Sequence, residues 1–108
     1  MSNSKLEHEI ALYTARTPRS RTLQQQAEQY LPGGSSRTTV SFDPYPPYMD
    51  HGQGHYMYDV DGNQYLDFML NATSLIMGHA HPAVTTALQN QLTSGTAFGA
   101  PTHSQIRL

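Results

Sequence analysis

The stretch HYMYDVDGNQYLDF, residues 55–68, decides the local fold of this chain. Aromatic and β-branched residues at positions 56, 58 and 60 alternate with their neighbours at the period of a β-strand, and residues 65–68 form a second apolar run. Between the two runs, Asp61-Gly62-Asn63 has the composition of a tight turn. The stretch therefore predicts a β-hairpin.

A first helix is predicted before the hairpin. Leu6, Ile10 and Tyr13 recur at helical spacing among polar residues. The helix is expected to end at Thr17-Pro18, because the residue before a proline avoids the α region.

Two more helices follow from similar signals. Ser20 is the expected cap of the second helix, and Pro32-Gly33-Gly34 is its expected end. The third helix is expected to begin at Pro82 and to stop at Gly95. Residues 33–54, rich in Gly, Ser, Thr and Pro, are predicted to run as a loop across a surface.

The composition is thin for a free domain. A chain of 108 residues is long enough for one small domain, yet Leu, Ile, Val and Phe make up only 19 of them. Charged residues are 13% of the chain, whereas Tyr and Pro are plentiful at seven each, which indicates a surface covered by other protein. We therefore expect residues 1–108 to be a partial domain of a larger fold.

Charge and cysteine usage exclude several classes of protein. A net charge of −2 without a basic run argues against nucleic acid or an anionic membrane as a partner. The chain has no cysteine, and it has no 18-residue apolar span or apolar leader. The expected compartment is the cytoplasm.

Two motifs resemble metal sites but lack the necessary ligands. His79 and His81 are two residues apart, yet no recurrent spacing supplies further ligands, so we interpret them as histidines that cap or pack a strand-to-helix junction. Residues 59–63, DVDGN, begin like a calcium loop, but the glycine falls at the fourth position and Leu70 occupies the twelfth. A hairpin turn explains the same residues.

Arg37 is the only arginine of the central loop. A guanidinium binds a carboxylate through two parallel hydrogen bonds better than any other side chain does. An exposed or ion-paired surface arginine is the alternative interpretation, since most arginines lie at the surface.

Five blocks of sequence resemble, in order, the N-terminal segment of class III pyridoxal-phosphate (PLP) enzymes, which include glutamate-1-semialdehyde aminomutase and the β-amino-acid aminotransferases. The blocks are YLPGGSSR (30–37), GQG (52–54), YDVDGNQYLDF (58–68), GHAHPAV (78–84) and GTAFGAPT (95–102). The resemblance implies an α/β protein, namely the N-terminal part of the PLP-dependent transferase fold type I, with two N-terminal helices, a small antiparallel hairpin and one following helix. It also implies PLP as cofactor, an amino acid or a similar small molecule as substrate, and a homodimer.

The resemblance assigns substrate binding, and no catalytic residue, to this segment. Arg37 matches the arginine that holds the substrate carboxylate in β-amino-acid aminotransferases, and Ser36 beside it is assigned to the same site. The cofactor-binding residues and the Schiff-base lysine of the family come later in the sequence; the only lysine here is Lys5, in a polar N-terminal stretch. Ala72 and Val40 replace a tryptophan and an arginine of the aminomutase branch, so the chain is closer to the aminotransferases.

Two functions remain open at this point. The first is the N-terminal portion of a PLP-dependent aminotransferase or aminomutase, inactive as an isolated chain. The second is a non-catalytic dimerisation or interaction protein derived from such an enzyme. The chain ends in a polar stretch, residues 102–108, that reads as the start of a helix without a stop signal, so we expect the reading frame to continue.

Overall fold

Two helices open the fold, as the sequence predicts. The computed structural model describes residues 3–106, in which α1 (Asn3–Arg16) and α2 (Pro18–Tyr30) meet at Thr17. Pro18 occupies the first turn of α2, where a missing N–H costs nothing. The Thr17 hydroxyl donates a hydrogen bond of 2.7 Å to the carbonyl oxygen of Tyr13, which ties the break to the last turn of α1.

A three-stranded antiparallel sheet follows. The predicted hairpin is confirmed as β2 (Tyr56–Asp59) and β3 (Gln64–Leu66), with Gly62 at a φ of 87° in its turn. Strand β1 (Met49–Gln53) pairs with β2 and places β2 in the centre. The prediction that residues 33–54 form only a loop was wrong over β1, because this strand is defined by its pairing partner rather than by an alternating pattern of its own.

The third predicted helix is α3 (Pro82–Leu92). It ends three residues before Gly95, which has a φ of 92° in the turn that follows. At the end of the chain the structure has a 3₁₀ turn, His103–Ile106, and the last two residues of the predicted helical start lie outside the described range.

The interior of the described chain is mostly polar. Among residues 3–106, Tyr45 is the one large apolar side chain that is buried, and the other buried side chains are polar or charged. The Tyr13 hydroxyl donates to the Tyr45 carbonyl oxygen over 2.7 Å, and the hydroxyls of Thr17 and Tyr45 are 3.1 Å apart. Hydrogen bonds therefore join the helices to the rest of the chain where other small domains use an apolar core.

Much of the apolar surface has no cover within the described chain. Val84, Leu88 and Leu92 form one stripe on α3 and are 46%, 60% and 66% exposed. The radius of gyration is 18.6 Å, whereas a compact domain of this length has about 13 Å. Both observations agree with a segment that lies against further protein.

We expect the isolated 108-residue chain to unfold over a broad temperature range, because a polar interior and uncovered stripes give little cooperative stability. Circular dichroism melting, combined with size-exclusion chromatography, measures this. A sharp cooperative transition of a monomer would show that the segment is a self-sufficient domain.

Candidate functional site

The two predicted substrate-binding residues lie on a loop with a fixed backbone. Ser36 and Arg37 connect the 3₁₀ turn Pro32–Gly34 to a second 3₁₀ turn, Thr38–Val40. The Ser35 hydroxyl donates to the Arg37 carbonyl oxygen over 2.7 Å and accepts from the Arg37 N–H over 3.2 Å. The backbone at Arg37 is thus held in extended geometry from both sides, with φ −140° and ψ 129°.

The Arg37 side chain is exposed and is not engaged by the described residues. Within residues 3–106 its guanidinium makes no hydrogen bond and no ion pair. A cavity of about 270 Å³ lies next to this loop, with Leu31, Val40, Pro46 and Met49 as apolar walls and Ser35 and Ser36 as a polar wall. The structure thus brings Ser36 to the cavity, whereas Arg37 is not among its lining residues.

Gly34 seats the loop against α2. It is buried with a φ of 67°, and a Cβ at this position would lie 2.9 Å from Cγ of Glu28 and 3.1 Å from Cδ of Gln24. Gln24 in turn accepts a 3.0 Å hydrogen bond from the Tyr48 hydroxyl beside the cavity. The positive φ favours glycine here, and a larger residue would also have to displace the Gln24 and Glu28 side chains, so Gly34 lets the loop approach α2 closely.

The hairpin turn caps helix α2 through Asp61. Its carboxylate accepts hydrogen bonds from the N–H groups of Arg19 and Ser20 at 2.7 and 3.0 Å, and from the Ser20 hydroxyl at 2.8 Å. The prediction that Ser20 is the cap was wrong: Ser20 lies inside the first turn, fully buried, and Thr17 is the N-cap residue. Burial raises the pKa of Asp61, but the bonds from Ser20 and Arg19 outweigh it and leave this pKa below its ordinary value.

Asp59 closes the hairpin turn itself. Its carboxylate accepts from the N–H groups of Asp61 and Asn63, from the Asn63 amide and, over 2.8 Å, from the Tyr65 hydroxyl. Burial and this bond to Asp59 raise the pKa of Tyr65 to about 12. The Asp59 carboxylate of the DVDGN motif therefore binds groups of the hairpin turn, and the Asp61 carboxylate binds the first turn of α2.

His79 packs the junction before α3. Its Nε2 lies 2.7 Å from Oδ2 of Asp67, whose side chain is 2% exposed. The Leu70 amide and the His79 ring are the largest of the causes that hold the pKa of Asp67 below its ordinary value. His81 is the N-cap residue of α3 without a side-chain cap, and its Nδ1 is buried with no partner among the described residues. Within that same range, no three His, Cys, Asp or Glu side chains form a group suited to a metal ion.

Lys5, the only lysine of the sequence, is exposed on α1. It does not line the cavity beside Ser36 or the cavities around Tyr13 and Asp61, so none of these cavities brings a lysine to a bound cofactor. No helix within residues 3–106 is both long and apolar enough to cross a membrane.

Two contacts of the site could not be read from local sequence. Asp61 and α2 are about forty residues apart, and no motif links them. Asp67 carried a weak local signal for a turn, since an aspartate side chain often accepts hydrogen bonds from backbone N–H groups two and three residues later. Here the Met69 and Leu70 N–H groups donate to it. Its partner His79 was singled out only as a junction residue.

Comparison with known proteins agrees with the geometry. The family profile "Aminotransferase class-III" matches residues 39–107. A glutamate-1-semialdehyde 2,1-aminomutase from Methanobrevibacter smithii is 44% identical over 89 residues, which are 82% of this chain and 21% of that protein. The crystal structure of an omega-transaminase from Sphaerobacter thermophilus is 46% identical with a TM-score of 0.77, over 81% of this chain and 20% of that one. A solved transaminase with PLP bound is 43% identical with a TM-score of 0.80, over 84% and 22% of the two chains.

The chain spans about a fifth of the length of the relatives that it matches. Its mixed helical and antiparallel arrangement is the N-terminal part of the PLP-dependent fold type I, so the expected fold class is confirmed. The ordered motifs, the fold and the matched profile lead to one conclusion. This chain belongs to the class III aminotransferase family.

Proposed function

We propose that residues 1–108 form a partial domain, the N-terminal segment, of a PLP-dependent aminotransferase or aminomutase whose substrate carries a carboxylate. In this proposal Arg37 holds the carboxylate and Ser36 lines the same site. The segment contributes substrate recognition, whereas the attachment lysine and the cofactor pocket belong to the remainder of the enzyme.

The state of the Arg37 guanidinium carries the proposal. A guanidinium without a protein partner among residues 3–106, on a loop whose backbone is held by the Ser35 hydroxyl, is ready to bind an anion. The neighbouring Ser36 lines a cavity of about 270 Å³, which has room for part of a small substrate. An exposed arginine that binds no ligand would not need a backbone held in a fixed conformation.

The reaction type rests on the relatives. They include an aminomutase and transaminases, both of which act on amino groups. Ala72 and Val40 stand where the aminomutase branch is expected to have a tryptophan and an arginine, and this favours an aminotransferase. We infer a homodimer in the cytoplasm, with the exposed stripe of α3 covered by further protein. The alternative of a non-catalytic interaction protein has no supporting observation.

A fusion enzyme tests the proposal. Residues 1–108 replace the matched fifth of the Sphaerobacter thermophilus omega-transaminase, the parent enzyme, and the product is called the joined enzyme below. We expect the joined enzyme to show the absorption of bound cofactor and to transfer amino groups from carboxylate-bearing donors. Bound cofactor with no amino transfer, while the parent enzyme remains active under the same conditions, would contradict the proposed function.

We expect the isolated chain to form no covalent adduct with PLP at Lys5. Lys5 is exposed on α1 and does not line the cavity beside Ser36 or those around Tyr13 and Asp61, so no built pocket there would hold the cofactor phosphate near its amine. Borohydride trapping followed by mass spectrometry measures adduct formation. Specific stoichiometric labelling of Lys5 at micromolar PLP would contradict this expectation.

A further inference from the structure

A left-handed turn follows the sheet. Four consecutive residues that are not glycine have positive φ: Leu70 at 47°, Asn71 at 47°, Ala72 at 55° and Thr73 at 71°. Asparagine tolerates this conformation, but a β-branched threonine rarely adopts it, and runs of several residues are rare because Cβ crowds the backbone. The turn is therefore strained.

The carboxylate of Asp67 holds the start of this turn. Its Oδ1 accepts hydrogen bonds of 2.9 Å from the N–H groups of both Met69 and Leu70. The Leu75 N–H then closes the turn onto the Leu70 carbonyl oxygen over 3.0 Å. The second carboxylate oxygen of Asp67 is held by His79 at 2.7 Å.

His79 itself is fixed by three contacts besides Asp67. Its backbone exchanges two hydrogen bonds with Gly54, at 2.7 and 3.0 Å. Its ring lies against Gly52, where a Cβ would come within 2.6 Å of Nδ1. The preceding residue, Gly78, also lies close to this strand, since a Cβ there would come within 2.6 Å of the Gly54 carbonyl oxygen. The sheet, His79, Asp67 and the turn thus form one connected chain of contacts.

Packing by the described residues does not compensate the strain at the last three positions of the turn. The side chains of Asn71, Ala72 and Thr73 are exposed, and within the described chain Asn71 bonds only Ser74 of the same turn. A backbone kept in a costly shape while its side chains face outward is typical of active sites and of segments that contact another molecule.

We propose that His79 is a positioning residue: through Asp67 it holds the turn Leu70–Thr73 in the left-handed shape that the active site of the complete enzyme uses. This inference rests on the proposed function for the existence of that active site. It adds a residue whose role is exerted through Asp67 and not on the substrate.

The test compares variants of the joined enzyme by kcat, KM and hydrogen exchange of residues 68–75. We expect His79→Ala to keep the absorption of bound cofactor, to lower kcat about tenfold with less change in KM, and to speed exchange in residues 68–75. We expect His79→Gln, whose amide is able to donate to Asp67, to stay within about threefold of the starting kcat.

A second substitution, Ala72→Gly, tests whether His79 acts through the backbone conformation of the turn. Glycine adopts positive φ without a Cβ clash, so we expect Ala72→Gly in the His79→Ala background to restore most of kcat and of the slow exchange. In the background with His79 intact, Ala72→Gly should slow exchange of residues 68–75, whereas glycine in a right-handed turn would speed it. This last comparison stands even if His79→Ala fails to fold.

Several outcomes would overturn the proposal. They are an unchanged kcat in His79→Ala, a lowered kcat that Ala72→Gly does not restore, and faster exchange on Ala72→Gly alone. Failure of the proposed function is distinguishable, because it would leave the joined enzyme without amino transfer while the exchange effects of both substitutions persisted.

Discussion

Arg37→Ala in the joined enzyme is expected to lower kcat/KM for carboxylate-bearing donors by up to about a hundredfold, while the absorption of bound cofactor stays intact. A charge-assisted, two-pronged hydrogen bond in a site shielded from water contributes about 1.5–3 kcal/mol, and about 1.4 kcal/mol corresponds to a factor of ten. Steady-state kinetics with an amino acid and with the matching amine that lacks the carboxylate measure the loss.

Two further variants isolate the carboxylate contact. Arg37→Lys should recover little, because an ammonium on a flexible stem cannot reproduce a planar fork. Arg21→Ala is the matched control, since Arg21 is also an exposed arginine but lies on α2 and not on the loop of Ser36. If Arg37→Ala changed kcat/KM by less than about twofold and left the ratio of amino acid to amine unchanged, Arg37 would be an ordinary surface residue.

Local patterns predicted the helices and the hairpin. Apolar spacing and Thr17-Pro18 placed the break between α1 and α2, and Asp61-Gly62-Asn63 placed the hairpin turn. These features depend on residues within a few positions of one another, which is the range over which periodicity and turn chemistry act.

Contacts between residues distant in the sequence could not be predicted from local patterns. Strand β1 exists because β2 offers it a hydrogen-bonding edge, and the cap of α2 comes from Asp61 in place of the nearby Ser20. No glycine between residues 70 and 73 signals the left-handed turn. Asp67, which binds the start of this turn, is held by His79 twelve residues later. Each of these features is decided by tertiary contacts rather than by local preference.

The candidate site, too, could be predicted only in part from the sequence. The motif around Ser36 and Arg37 identified which residues to examine, and the sequence alone left the guanidinium either free or ion-paired. The structure adds that it is free within the described residues and that Ser36, the residue before Arg37, lines a cavity. The matched segment is 21% of the length of the Methanobrevibacter smithii relative, so most of such a protein lies outside it.

The helix cap leads to the second large effect that we expect, on the docking of α2 against the hairpin. Asp61→Ala removes three hydrogen bonds to one carboxylate and leaves the N–H groups of Arg19 and Ser20 without these partners. Loss of a helix cap costs about 0.5–2 kcal/mol, and bonds to a charged group are stronger than neutral ones. We expect a loss of about 2 kcal/mol in the free energy that keeps this turn closed, seen as roughly thirtyfold faster hydrogen exchange at the start of α2 in the joined enzyme.

The pH dependence of this loss identifies the carboxylate as its source. The pKa of Asp61 is lower in the folded chain than its ordinary value of 3.8, so the folded state binds the proton more weakly than the unfolded state does. The contribution of Asp61 is therefore fully present above about pH 3.8 and is lost as the pH falls through the lowered pKa. After correction for the intrinsic exchange rate, the difference between the starting protein and Asp61→Ala should be full at neutral pH and shrink in acid.

Two matched variants complete the test. Asp61→Asn keeps one carbonyl oxygen as acceptor and loses the charge, so it should cost less than Asp61→Ala at neutral pH and lose its pH dependence. Asp50→Ala is the control, because Asp50 is an exposed aspartate on β1 whose carboxylate contacts only His51 among the described residues. Equal exchange at the start of α2 in Asp61→Ala and Asp50→Ala would show that the carboxylate of Asp61 does not hold this helix against the hairpin. A difference that persisted unchanged in acid would assign the effect to the size of the side chain rather than to its charge.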